Sequence, residues 1–447
     1  MITTMKEAEY MVYRSYLKAR DHLTSTKDEI IKKPHLTREL LDKIGAPDLN
    51  KKIVLVTGSK GKGSTSRMIS SLLSNLGYKV GLFTSPQLVK FNERIRIDGK
   101  MISDHDYIRL SNKIAPIVDE IESKLKIDEY QGPVGIVLAL ALLYFAEHNV
   151  DYYVIECGRG CKYDDTNVIR NQWAIITPIM EEHLNNLGST IYDVVNHKLG
   201  IIKDTTKKVI IGRQQNDILA NISTKVELLH NNGFNFSIDY YGKQFSAENI
   251  KVTTNGTQFS VITLFDIYQN LHLSLLGGFQ AENGAVAIRA VEEILKDENQ
   301  QLNKEVVENT FANLQWPGRL EIIGQNPTVI VDGTINRRSA VYVKEVVEKL
   351  NAKKIAAIIG VPEDKDYQGV IEVAASFADY LIITQPDITY KTFTKEAINV
   401  AKHYNEQAYS LPNLNEAVNF AFDIPDLDLL LIMGTQSLVA NAKRIWK

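Results

Sequence analysis

The chain has 447 residues, too many for one ordinary core at a typical domain size of roughly 100–200 residues, so two large domains are expected. With 44% hydrophobic and 23% charged residues and no low-complexity tract, the whole chain should fold as a globular protein. A formal net charge of -3, a polar N-terminus and no apolar run near the roughly 20 residues that span a bilayer argue against nucleic-acid or membrane partners; the expected location is the cytoplasm.

Apolar runs rich in β-branched residues alternate with amphipathic stretches: a strand at 52–58 (KIVLVTG), a helix at 62–77, then strands at 80–85, 151–158 and 173–179. This alternation predicts an α/β fold, a parallel sheet flanked by helices. The two cysteines, Cys157 and Cys161, lie in CGRGC with no second pair to complete a zinc site, and are read as reduced thiols near a turn. Short strand-like runs at about 234–277, such as FNFSIDYYG and QFSVITLF, read as a β-rich insert or edge sheet. After a helix at 280–296 the alternation restarts, with strands at 328–333, 354–361, 379–385 and 427–434. The chain therefore divides into residues 1–317 and a smaller α/β domain at 318–447.

The segment Val56-Thr57-Gly58-Ser59-Lys60-Gly61-Lys62-Gly63-Ser64-Thr65 follows a strand and opens a helix, the context that a phosphate-binding loop requires. Glycines let the backbone approach an anion, Lys62 supplies a point charge, and Ser64 or Thr65 can reach a phosphate or its Mg²⁺. A nucleotide site alone leaves GTPase, kinase and ligase open.

Seven blocks narrow the choice: VTGSKGKGST, TSPQLVKFNERIRIDG, VDYYVIECG, EEHLNNLGSTIYDVVNHKLGIIK, WPGRLEII, VDGTIN and EDKDY. In this order they resemble the folylpolyglutamate and dihydrofolate synthases of the Mur ligase superfamily, over nearly the whole chain from about residue 50. The resemblance implies a P-loop ATPase domain followed by a Rossmann-like domain, with the active site between them. It implies an ATP-dependent ligase that makes an acyl phosphate from a carboxylate and passes the acyl group to an amine. Small-molecule acids and amino acids would be its partners, a reduced folate and glutamate by default, and the protein a monomer or small homo-oligomer.

Carried over by position, the resemblance places Lys62 on the phosphates with Gly58, Gly61, Gly63, Ser64 and Thr65 around them. It makes Ser85, Glu156 and His183 Mg²⁺ ligands and gives nucleotide contacts to Asn283, Arg319 and Asp332. Lys198 matches a lysine that is typically carbamylated in the family, which turns an ammonium into a carboxylate; an ordinary helix-surface lysine is the alternative. Glu156, His183 and Lys198 join Lys62 as the expected catalytic set.

Three departures concern the organic substrates. The family's SPHL is Ser85-Pro86-Gln87-Leu88, its T-x-F-E run is Gly132-Pro133-Val134-Gly135, and its DGAHNP block is Asp332-Gly333-Thr334-Ile335-Asn336-Arg337. The last replaces a histidine linked to amino-acid binding by Ile335, which cannot hydrogen-bond a carboxylate. Arg337 or Arg338 takes over that contact, or both are solvated charges at a helix start. A Mur-type ligase with a different acid or amine, and a non-catalytic nucleotide binder, stand as alternatives.

Overall fold

The computed structural model describes residues 1–85, 90–387 and 391–446. The first sheet is built from β1 (Lys52–Thr57), β2 (Val80–Phe83), β3 (Ile95–Ile97), β4 (Lys100–Met101), β5 (Tyr152–Glu156), β6 (Trp173–Ile176), β7 (Lys208–Ile211) and β8 (Ser237–Tyr240). Their order is β4-β3-β2-β5-β1-β6-β7-β8, parallel from β2 to β8 with an antiparallel hairpin at the β4 edge.

β1 is covered on both faces, which is why it reads as an unbroken apolar run rather than an alternating one. Ile53 and Leu55 join one core, shared with the N-terminal helices Met5–Ala19 and Pro34–Lys43 and the apolar helix Pro133–Glu147. Val54 and Val56 join the other, with Met68, Ile69 and Leu72 of helix Lys62–Asn75 and Ala281, Ala285 and Ile288 of helix Gly278–Lys296. Because β5 and β6 flank β1 in parallel, the loops after all three strands leave the same edge of the sheet, where ligands of parallel α/β sheets bind.

A small antiparallel sheet, β9 (Phe245–Thr253), β10 (Gly256–Thr263) and β11 (Ile267–Leu273), packs Phe259, Val261 and Leu271 into that second core. The expected β-rich segment thus divides: residues 237–240 of FNFSIDYYG form β8 and pair with β7, and the separate sheet begins at Phe245. A short apolar run does not reveal which distant strand will pair with it.

The third sheet holds β12 (Glu321–Gly324), β13 (Thr328–Asp332), β14 (Ile355–Gly360), β15 (Tyr380–Ile383), β16 (Ala408–Ser410) and β17 (Leu429–Gly434). The order is β12-β13-β17-β14-β15-β16, with only β12 antiparallel. Val252 and Leu276 pack into its core beside Leu320 and Ile330, so the earlier part of the chain is docked on it through apolar contact. Among the described residues, no helix is long and apolar enough to cross a membrane.

Candidate active site

β1 ends in the glycine loop, and two of its glycines are demanded by their surroundings. Gly58 has φ 138°, and a Cβ there would lie 2.0 Å from Thr177 Oγ1 at the end of β6. Gly61, at φ 84°, precedes helix Lys62–Asn75, and a Cβ would meet Asn283 Oδ1 at 2.4 Å. Ser59 ties the loop down, donating N–H to Pro178 O at 2.8 Å and Oγ–H to Met180 O at 3.0 Å. No side chain caps the helix start, so its first N–H groups stay available to an anion. Lys62 Nζ folds back onto Gly58 O at 2.8 Å, and Thr65 Oγ1 in the first turn is buried with no protein partner.

β5 delivers Glu156, 5% exposed, whose Oε2 accepts the Ser85 N–H at 3.1 Å. Burial pushes its carboxyl up, against the pull of Lys62. His183 follows β6, in the left-handed region at φ 51°, before the short helix Leu184–Leu187; burial draws its imidazole pKa down, opposed by Glu182. Among the described residues, no three His, Cys, Asp or Glu side chains form a metal-holding group. The donor set still suits Mg²⁺, which keeps several waters and takes one or two carboxylates together with substrate phosphates. Glu156 with Ser85 offers such a partial shell.

Lys198 is not the ordinary helix-surface lysine of the alternative reading: on helix Ile191–Leu199 it is fully buried behind the loop. Its Nζ donates to Gly58 O at 2.7 Å, Arg159 O at 2.5 Å and Glu182 Oε1 at 2.9 Å. Three acceptors use all three N–H bonds of an ammonium, so the unmodified side chain cross-braces the loops after β1, β5 and β6. Burial, then the charge of Lys62, draws its pKa down to about 8.

The opposite wall comes from the third sheet. Asp332, at the end of β13, accepts from Leu320 N–H at 3.0 Å and Thr334 Oγ–H at 2.5 Å, and burial raises its carboxyl against the pull of Arg319. A Cβ on Gly333 would lie 2.6 Å from Gln436 Nε2 and 3.4 Å from Arg319 Nη1. Lys62, Glu156, His183, Asn283, Arg319 and Asp332, drawn from both parts of the chain, line one cleft of about 850 Å³. Sequence reasoning passed over Lys60, Glu182 and Gln436, although the first two stand inside blocks it had singled out. Lys60 meets the charges of Glu182, Arg319 and Asp332, and burial lowers its pKa.

The substrate-side departures resolve unequally. Pro86, Gln87 and Leu88 lie outside the described residues. Gly132 and Gly135 are demanded by packing: Cβ atoms there would lie 2.0 Å from Asp165 Oδ2 and 2.0 Å from Thr37 Oγ1, two groups joined by a 2.7 Å hydrogen bond. Ile335 is half-buried on the third sheet's core and also lines the cleft. Arg337 pairs with Glu372 through both guanidinium branches, whereas Arg338 reaches across the cleft to the Glu181 carbonyl and carboxylate. Cys157 and Cys161 are free and buried, with sulfurs 3.5 Å apart.

A model of the Mur ligase middle domain matches residues 56–291, and one of the Mur ligase glutamate ligase domain matches residues 318–436. The chain is 32% identical over 380 residues to a Bacillus subtilis dihydrofolate synthase/folylpolyglutamate synthase, covering 84% of this chain and 86% of that protein. It is 28% identical over 412 residues to a Mycobacterium tuberculosis protein of the same description, covering 88% and 83%. The fold is similar to that of a Mycobacterium tuberculosis folylpolyglutamate synthase complexed with ADP and AMPPCP: TM-score 0.84, 25% identity, 97% of this chain and 99% of that one. An FPGS–AMPPCP–folate complex aligns with TM-score 0.80 at 25% identity, covering 99% of this chain and all of that one, 100%.

Proposed function

The chain belongs to the Mur ligase family, and from that premise we propose that it joins a carboxylate to an amino acid at the expense of ATP, with a reduced folate and glutamate as substrates. One observation carries the reading: phosphate-binding, carboxylate and cationic groups from both parts of the chain face a single cleft. Residues 1–317 and 318–447 are the two domains of this reading.

The loop amides and Lys62 hold the nucleotide phosphates, while Asn283, Arg319 and Asp332 hold the rest of the nucleotide, so ATP binding draws the two domains together. Glu156, Ser85 and His183 are the residues that would hold Mg²⁺, which when bound neutralises charge on the transferring phosphoryl group. The γ-phosphoryl group passes to the substrate carboxylate, forming the acyl phosphate and ADP. Lys62 stabilises the charge that builds on the phosphoryl oxygens. The amine then attacks the carbonyl carbon, and collapse of the adduct releases phosphate and leaves the amide. What this chain supplies to the second step is position, by holding acid and amine in line.

Lys198 sets the loops that carry these groups. Carbamylation belongs to the proposal as its further step: with a pKa near 8 about half of the amine is neutral at that pH, the form that adds carbon dioxide with loss of one proton, and addition replaces an ammonium by a carboxylate on a nitrogen that keeps one N–H. We assign the acceptor's carboxylate to Arg338. Its partner Glu181 is itself a carboxylate, both side chains are exposed, and an exposed pair is exchanged at little cost. Ile335 supports a second reading, a less polar acceptor, because an apolar side chain stands in that part of the cleft.

The test offers ATP, Mg²⁺ and tetrahydrofolate with each common amino acid, and follows ADP release and product mass. A glutamate-sized mass gain is expected; nucleotide binding with no ADP release under any pairing would leave only a binding protein.

A further inference from the structure

Lys60 stands in the glycine loop between the constrained Gly58 and Gly61, and it has no part in the chemistry described so far. Its main-chain N–H reaches Pro178 O at 3.4 Å, the carbonyl that also takes the Ser59 N–H, so the backbone carrying it is tied to the segment after β6. The side chain is half-buried and lines the cleft. Among the described residues, no group lies within hydrogen-bonding or ion-pair distance of its Nζ. The other lysines at the loop are occupied, Lys62 by Gly58 O and Lys198 by three acceptors. Burial is the largest influence on the Lys60 ammonium; at longer range Glu182 and Asp332 attract it, while Lys62 and Arg319 repel it. Neither carboxylate is left over for Lys60: Glu182 is bonded by Lys198, and Asp332 by the Leu320 N–H and the Thr334 hydroxyl.

Arg319 faces Lys60 from the other domain, in the same cleft, half-buried and likewise without a hydrogen bond or ion pair among the described residues. A cation partly withdrawn from water without a partner is unfavourable, and two that feel one another across a cleft are more so. An anion entering between them removes both costs. The loop amides and the start of helix Lys62–Asn75 belong to one domain only, and they suffice for phosphates that stay with the nucleotide. Lys60 instead shares the cleft with Arg319 and Asp332 of the third-sheet domain. The anion between the two walls is the one handed on, since the substrate carboxylate must meet the end of the nucleotide there.

We propose that Lys60 is a further catalytic residue, whose ammonium binds the terminal phosphoryl group of ATP opposite Arg319 and stays on it during transfer to the substrate carboxylate. This role deepens the ligase reading above and rests on it. In the transfer, a carboxylate oxygen bonds to the phosphorus as the bond to the bridging oxygen breaks, and the electron pair of that bond leaves with ADP. Lys60 moves no proton. It donates N–H bonds to the peripheral oxygens, whose charge is then shared by Lys60, Lys62 and Arg319. Its place in a tethered loop means that little has to reorganise as that charge develops. ADP has no terminal phosphoryl group and forgoes the contact.

The experiment compares wild type, Lys60→Gln and Lys60→Arg by calorimetry with ADP and with AMPPCP, each with Mg²⁺, and by ADP release with tetrahydrofolate and glutamate. Lys60→Gln should weaken AMPPCP binding about tenfold or more, the scale of one charge-assisted hydrogen bond, and leave ADP binding unmoved. Its kcat should fall about 10²-fold, the loss for one preorganised donor, with the glutamate KM unchanged. Lys60→Arg keeps the charge and should lie between. Because the ammonium has no protein partner to lose, the thermal midpoint of ligand-free Lys60→Gln should equal or exceed that of wild type, so that weak binding is not misfolding. Equal weakening of both nucleotides, weakening of neither, or a rise confined to the glutamate KM overturns the role while wild-type turnover keeps the ligase reading in place. Wild type that releases no ADP with tetrahydrofolate or any other acid overturns the ligase reading, and the role of Lys60 falls with it.

Discussion

Lys198→Met keeps the aliphatic stem and removes the ammonium, so it isolates the cross-brace at the centre of the site. The change deprives Glu182 of its paired cation and Arg159 O of its donor, and leaves Gly58 O with Lys62 alone. Removing one member of a buried pair costs about 3–5 kcal/mol. Part of the effect depends on pH, and its sign follows from proton counting. The folded pKa is about 8 against an ordinary 10.5, so between those values the unfolded chain holds a proton that the folded chain has released. Stability then rises with pH. At roughly 1.4 kcal/mol per unit, the handicap of burying the charge is on the order of 3 kcal/mol. It is present in full below about pH 8 and gone above about pH 10.5. The Met variant lacks this titration. In carbonate-free buffer, urea unfolding followed by circular dichroism should show the wild-type advantage widening from pH 8 toward 10.5. A variant as stable as wild type, or a difference that stays constant over that window, would refute the brace.

Carbamylation gives a separate signal: labelled bicarbonate at about pH 8.5 should produce a carbamate resonance in wild type that Lys198→Ala lacks, and identical spectra would reject it. Lys62→Ala should keep the unfolding midpoint and lose about 10²–10³ in turnover, the scale of one preorganised charge contact; undiminished ADP release removes the loop from catalysis. Gly61→Ala places a methyl group 2.4 Å from Asn283 Oδ1 at a φ of 84°, and should weaken ATP binding by calorimetry. An Ala variant that binds ATP as tightly as wild type would show that the loop does not need a glycine there. Arg338→Ala should raise the glutamate KM about tenfold while Arg337→Ala leaves it alone; the reverse pattern would move the acceptor contact to the Glu372 side.

How far the sequence reaches depends on the range of the interaction. The strand, glycine loop and helix from 52 to 75 were legible because each cue is local: an apolar run buried on both faces, glycines where a Cβ meets Thr177 or Asn283, and a helix start left uncapped. The parallel sheets followed from the alternation of such runs, and the ligase chemistry from short blocks kept in order. The residues that brace or complete the site were not legible. The resemblance put Lys198 in the site, but it draws its acceptors from positions 140, 39 and 16 residues away, so its burial and its three bonds could not be read from the residues around it. The strand Ser237–Tyr240 looks like its neighbours in the insert, and only pairing with Lys208–Ile211 assigns it to the main sheet. Arg337 and Arg338 are adjacent and alike in sequence. Successive residues of a helix diverge by about 100° around its axis, so one meets Glu372 in its own domain and the other crosses to Glu181. Local sequence determined the elements and the reaction class; the packing of distant segments decided which charges are buried, paired or left for a substrate, because a charge's energy depends on neighbours that the chain order does not reveal.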